Sequence, residues 1–418
     1  MASEAIPDAI FEGRFFYNGA LQDIEVAVSS GTITAIGRDL RSARKIKLDG
    51  AVIPAGIDPH VHFRDPGETW KEDFKSGTLA ALYGGTTTIL DMPNNIQPIT
   101  DYSRFDNKLS AVKGKALCDF GLYSMFNGQD TRLIDKRSIG LKVYLGSSTN
   151  VGAESTSFLR NASKLEEFSR PVVFHGEDAE CLRIHRMETE NNLFDHDNSR
   201  PIQCEIEAAG MISGLNISRK VMAHVSSSSS LDLLNQTTLS EVTPHHLLLN
   251  NSMDLGPWGK CNPPLRSVEE QRNLLQAYLD GRITYVGSDH APHTEEEKEV
   301  FEQAPSGIAG VETRVPLLLA LFTRKILPLN RLVETVSTAP ARVFNIRKGL
   351  IQEGYKFDVI TFHPSEERRI NQDRLHSLCP ISPFQDFPAI FPSDVFISGS
   401  KVIENGELLE GYHGEFLY

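Results

Sequence analysis

Apolar and polar positions change rhythm along the chain. In "IEVAVSSGTITAIG" (24–37) apolar residues alternate with polar ones on both sides of a Ser-Ser-Gly turn, which predicts two short strands. The carboxy-terminal stretches "KFDVITFHP" and "DVFISGSKVIENGELLE" repeat that pattern. Between residues 53 and 343 it gives way to eight short apolar runs: "GAVIPAGIDPHVH", "GTTTILDMPN", "CDFGLYSM", "IGLKVYLG", "PVVFHGED", "KVMAHVS", "SEVTPHH" and "ITYVGSDH". Helical patterns such as "EDFKSGTLAALYG" and "ASKLEEFSR" separate most of them. Strands alternating with helices predict a parallel sheet. Eight such units fit an α/β fold of the (β/α)8 type, and a doubly wound sheet is the alternative. The apolar run "VPLLLALF" (315–322) is far too short to span a membrane.

The polar residues at the run ends favour the barrel. They are His60, His62, Asn94, Lys142, His175, His224, His245, His246, Asp289 and His293. With His290 beside Asp289, eight of the 13 histidines sit at such ends, where barrel enzymes gather their chemistry. The other five, His185, His196, His363, His376 and His413, read as ordinary exposed or loop histidines. In "GIDPHVHFRDPG" (56–67), His60, His62 and Arg64 stand two apart and share one strand face if the strand holds that far. Two neutral imidazoles can ligate a metal, and a cation beyond them can hold an anion. The same spacing also fits two histidines in a loop. His60, His62, His175, His224 and Asp289 offer more ligands than one catalytic zinc needs. Two metals sharing an anionic bridge would use them better. Lys142 lies in the apolar context "GLKVYLG". A buried lysine is readily neutral, and a neutral amine can take up carbon dioxide to become a bridging carbamate. Spacing alone favours the plainer alternative, a lysine pointing outward.

Composition narrows the partners. The 418 residues carry a net charge of -13, which argues against nucleic acid or an anionic membrane as the main partner. A few local cations can still hold a small anion. The five cysteines (118, 181, 204, 261 and 379) are scattered without a CxxC, which reads as free thiols in a reducing compartment and no zinc knuckle. "MASEAIPDAIFEG" has neither the basic region nor the apolar core of a signal peptide, so a cytoplasmic location is expected. "SSSSS" (226–230) reads as a loop and helix N-cap, and "HTEEEKEVFE" (293–302) as a solvated helix face.

Taken together, "GIDPHVHFRDPGETWKEDF", "GGTTTILDMPNN", "GLKVYLG", "VTPHHLLL", "KCNPPLRS", "GSDHAPHT" and "GIAGVET" resemble the amidohydrolase superfamily and, within it, the class I dihydroorotases. The resemblance implies a barrel over 54–343 and a small β-sandwich domain from both chain ends, 1–53 and 344–418. It implies His60, His62 and Asp289 on one metal, His175 and His224 on a second, and a carboxylated Lys142 bridging two Zn2+ per chain. Arg64, Asn94 and His293 match groups that hold the substrate carboxylate, and Asn262 matches a contact to the substrate ring. The implied reaction is reversible cyclisation of N-carbamoyl-L-aspartate to L-dihydroorotate in pyrimidine biosynthesis. A metal-bridging hydroxide would attack, with Asp289 as general acid and base. In some relatives the region of Glu241 and His245/His246 adds a metal contact. Implied partners are the small substrate, aspartate carbamoyltransferase and a second copy of the chain. Related cyclic amidases, dihydropyrimidinase and allantoinase, would share the metal ligands but have no need of Arg64. An inactive scaffold would be expected to have lost ligands that this chain keeps. A single-metal site with an unmodified Lys142 also stays open.

Overall fold

The computed structural model describes residues 6–41, 44–146, 161–379 and 381–418. The first five residues of the amino-terminal segment considered above lie outside them. The chain opens with four strands: β1 (Ala9–Tyr17), β2 (Ala20–Ser29), β3 (Thr32–Gly37) and β4 (Lys45–Pro54). Barrel strands follow: β5 (Gly56–Val61), β6 (Thr86–Asp91), β7 (Asp119–Leu122), β8 (Ser124–Met125), β9 (Leu141–Tyr144), β10 (Val172–His175), β11 (Lys220–Ala223), β12 (Thr238–Val242) and β13 (Tyr285–Val286). After the last barrel helices come β14 (Val359–Phe362), β15 (Arg368–Arg369), β16 (Pro388–Ala389), β17 (Asp394–Ile397), β18 (Ser400–Glu404) and β19 (Glu407–Leu408).

All neighbouring barrel strands pair in parallel. β7 and β8 act as one bent strand: β7 pairs with β6, and β8 with β9. The ring closes where Val61 bridges His290 in parallel and the His62 amide donates to the His290 carbonyl at 2.8 Å. Closure selects the barrel over the doubly wound sheet, and each of the eight apolar runs supplies one barrel strand. The first run is cut in two, however. Its "GAVIP" half ends β4 in a different sheet, and the barrel starts only at Gly56. Both halves are buried, so their apolar patterns merge into one.

The eight-stranded sheet runs β19-β18-β17-β14-β4-β1-β2-β3. The two chain ends meet where β4 pairs with β14, Ile53 opposite Ile360. One face holds Phe11, Phe15, Phe357 and Phe396, with Phe11 stacked on Phe357 at 4.2 Å. The other face, with Ile53, Ile360 and Val395, joins the main core. The sheet is therefore anchored to the barrel by the second of these faces, while the first buries a core of its own.

Helix Phe74–Tyr83 forms as its pattern predicts, started by a capping box between Asp73 and Ser76. "ASKLEEFSR" does not: only the 3-10 turn Ala162–Leu165 forms, and Asn161 makes no side-chain cap bond. The segment is closed soon after by Pro171, which the helix does not pass. "HTEEEKEVFE" likewise gives only the 3-10 turn Glu296–Lys298. The reading of every cysteine as a free thiol is corrected too. Cys181 and Cys204 form a disulfide between helices Ala179–His185 and Ile202–Gly214, while Cys118, Cys261 and Cys379 are free. Packing of two helices brings that pair together, and sequence spacing carries no trace of it. Among the described residues no helix is long and apolar enough to cross a membrane.

The carboxy-terminal segment lies against β7. The Phe120 amide donates to the Glu415 carbonyl at 2.9 Å, and the Leu417 amide to the Phe120 carbonyl at 2.8 Å. Gly414 is required for this approach, since a Cβ there would lie 1.8 Å from the Cys118 carbonyl oxygen. Gly414→Ala is expected to displace the segment and cost about 1–3 kcal/mol of stability. Chemical denaturation should show a lower midpoint, with activity per folded molecule retained.

Candidate metal centre and active site

The carboxyl ends of the barrel strands surround one pocket, lined by His60, His62, Lys142, His175, His224 and Asp289 and, further out, by Arg64, Asn94 and Asn262. The strands place them directly. His60 lies in β5, and His62 just beyond its end. Lys142 lies in β9, His175 ends β10, His224 follows β11, and Asp289 follows β13. Two of these residues have left-handed backbones, His224 at φ 37° and Asp289 at φ 48°. Such strain in residues other than glycine gathers where side chains are aimed for function.

His60 Nε2 lies 3.2 Å from Asp289 Oδ1, and His62 Nε2 lies 3.0 Å from the same oxygen. The opposite nitrogen of each ring meets an acceptor. His60 Nδ1 is 2.6 Å from Glu241 Oε1, and His62 Nδ1 is 2.6 Å from Asn94 Oδ1. Each acceptor fixes the proton on Nδ1 and turns the Nε2 lone pair toward the pocket, as metal-ligating histidines require. Burial pushes His62 down to about 3, so its ring is neutral at pH 7.

Across the pocket, His175 Nδ1 stands 3.1 Å from His224 Nε2. His175 Nε2 donates to Glu177 Oε2 at 2.8 Å, and Arg200 donates to both oxygens of Glu177, at 3.0 and 2.6 Å. His175 therefore also presents a lone pair inward. Burial lowers the pKa of both rings. Two groups of imidazole nitrogens, one of them with a carboxylate, form a donor set suited to zinc. Lys142 lies between them, 1 % exposed, with Nζ 3.4 Å from His60 Nε2. It points inward, against the plainer expectation from spacing. No carboxylate among the described residues lies within ion-pair distance of it, and burial lowers its pKa to about 8.

Arg64 is 4 % exposed, and its Nε has no hydrogen-bond partner. No carboxylate among the described residues lies within ion-pair distance. Its Nη2 is 3.5 Å from His293 Nε2. His293 is not on the pocket wall: it stands behind Arg64, with Nδ1 3.1 Å from Glu297. Glu297 also binds Lys71 at 2.7 Å, so this acidic stretch braces the site rather than forming a solvated helix face. Asn262 Oδ1 accepts from Ser306 Oγ at 3.0 Å.

His245 and His246 are buried but off the wall. His246 is held by Thr243 and by the Pro263 carbonyl. Ser226 and Ser230 also stay away from the pocket; Ser226 bonds Glu205 and Arg266. His196, expected to be an ordinary loop histidine, is 3 % exposed and bonds Asn262. Sequence reasoning also passed over Tyr144, Ser306 and Gly307 on the wall and the brace Glu177, while Glu241, considered as a metal contact, instead braces His60. Glu177, two residues beyond His175, was the one with a usable signal, because i and i+2 share a face. Glu177→Gln weakens the brace on His175 and is expected to lower the affinity for a metal ion about 10- to 100-fold, as competition with a chelator would show.

The model of the amidohydrolase family matches residues 51–125 and 144–402. The dihydroorotase of Thermoplasma acidophilum is 51% identical over 405 residues, covering 97% of each chain. That of Thermoplasma volcanium is 50% identical over 410 residues, covering 98% of each. The solved L-hydantoinase (dihydropyrimidinase) from Arthrobacter aurescens superimposes with a TM-score of 0.92 at 25% identity, over 99% of this chain and 100% of its own.

Proposed function

The chain belongs to the amidohydrolase family, and from that premise we propose that it is a dihydroorotase, interconverting N-carbamoyl-L-aspartate and L-dihydroorotate. The observation that carries this reading is Arg64, a buried guanidinium with a vacant donor beside the His62–Asp289 pair. Dihydroorotate is an uncharged ring bearing one carboxylate, and a guanidinium fork matches a carboxylate. Asn94 and Asn262 stand on the same wall to complete its binding, and His293 acts through Arg64.

In this reading His60, His62 and Asp289 would hold one Zn2+ and His175 and His224 another, and Lys142, after its amine adds to carbon dioxide with loss of one proton, would offer its carbamate as a further anionic ligand. The metal pair, when bound, supplies an activated water and polarises the ring carbonyl. A carboxylate oxygen of Asp289 takes the proton released in the attack and delivers it to the departing ring nitrogen. Cyclisation uses the same proton in reverse. We also assign 54–343 to the catalytic barrel, and 1–53 with 344–418 to a β-sandwich domain.

The likeness to a hydantoinase supports a second reading, hydrolysis of uncharged rings. Zinc-loaded protein assayed on dihydroorotate, dihydrouracil, hydantoin and allantoin separates the two. Turnover of dihydroorotate alone is expected. Preference for an uncharged ring would overturn the reading, and silence on all four with zinc bound would point to a scaffold. Lys142→Ala is expected to bind less than the full metal complement and to lose turnover, as metal analysis beside the same assay would show.

A further inference from the structure

His196 has no part in the metal centre, yet it is buried in helix Leu193–Ser199 against the segment that carries Asn262. Its Nδ1 lies 2.7 Å from Glu190 Oε2. Its Nε2 lies 2.9 Å from the Cys261 carbonyl oxygen and 3.0 Å from Asn262 Oδ1. Both ring nitrogens therefore meet only acceptors. The Cys261 carbonyl can only accept, so the ring donates from Nε2, and the Glu190 carboxylate holds it in that orientation from the Nδ1 side. Glu190 is itself fixed in place. It is held in turn by Ser199 Oγ and by Lys260 Nζ at 3.4 Å.

The consequence falls on Asn262. Its Oδ1 accepts from His196 Nε2 and from Ser306 Oγ, each at 3.0 Å. The side-chain oxygen is thus turned into the protein, and Nδ2 is left without a partner among the described residues, on a residue that lines the pocket. A flipped amide would set its NH2 against the His196 N–H.

We infer that the Glu190–His196 pair is a positioning device that locks the Asn262 amide with Nδ2–H toward the pocket, making this wall a donor-only surface selective for carbonyl or carboxylate oxygens of the substrate. The inference rests on the proposed cyclic-amide substrate and adds a specificity element to it. Arg64 and Asn262 then face the substrate as donors alone. A ring presenting an N–H at that position would meet a like group and be rejected.

The test is kinetic, with a structural readout beside it. His196→Leu is expected to raise KM for the preferred ring about tenfold, the worth of roughly one oriented hydrogen bond, while kcat and bound zinc hold. His196→Gln can still donate through Nε2 and is expected to recover most of the loss. In an Asn262→Ala background, His196→Leu should add nothing further. A fall in kcat or zinc content, an equal effect in the Asn262→Ala background, or no rescue by glutamine would overturn the positioning role. The Asn262 side-chain amide resonances in 15N-labelled protein report the same contact without turnover. They are expected to shift in His196→Leu and to stay near wild type in His196→Gln. Unchanged resonances in His196→Leu would sink this inference alone. Inactivity on every ring with the expected resonance pattern would sink the substrate reading and leave the inference standing.

Discussion

Asp289→Asn is expected to lower kcat for ring opening and ring closure alike by about 100- to 10,000-fold, the usual worth of a positioned general acid and base. Asparagine is the informative substitution. It matches aspartate in shape, and it tolerates the left-handed backbone at φ 48° better than most residues. The fold and the strand end should therefore survive. What is lost is a group that can accept a proton and an anionic oxygen 3.0 Å from His62 and 3.2 Å from His60. The two losses can be told apart by measuring zinc content with kcat. If zinc stays bound and kcat still collapses, the proton transfer carries the effect. If zinc is lost in proportion, Asp289 matters mainly as a ligand. A kcat within tenfold of wild type would refute both roles.

Arg64 has the next largest expected effect. Arg64→Met should raise KM for dihydroorotate by about 100-fold, near the upper range for a hydrogen bond to a charged group. The argument rests on the unpaid state of the side chain. Burial disfavours the charge of this guanidinium, its Nε has no partner, and no carboxylate among the described residues is within ion-pair distance. A substrate carboxylate would satisfy both needs. Dihydrouracil, which lacks the carboxylate, should lose nothing in the variant, so the preference between the two rings is the quantity to measure. Arg64→Lys keeps the charge but not the fork and should fall between the two. An unchanged ratio would remove the carboxylate from the proposal and leave a broader cyclic amidase.

Much of this protein is written locally. Alternation of apolar residues marked the terminal strands, and eight apolar runs marked the barrel strands, because strand period and burial act over a few neighbouring residues. His60, His62 and Arg64 stood out since spacing by two places residues on one strand face. Chemistry at run ends stood out since barrels expose those ends together.

Other features depended on contacts made only after the ring closes. The Glu241 carboxylate that sets the proton on His60 is 181 residues away in sequence. Lys142 pointing inward, against the reading its spacing favoured, follows from which face of β9 meets the pocket. The split of the first apolar run follows from two sheets that both bury their strands. The Cys181–Cys204 bond and the turn of His196 onto Asn262 follow from how short helices pack beyond β10. Local pattern thus determined which elements exist and where the reactive side chains lie along them. Tertiary structure decided which of those side chains face one another and where their protons sit, because pairing and desolvation belong to the closed barrel and not to any segment of it.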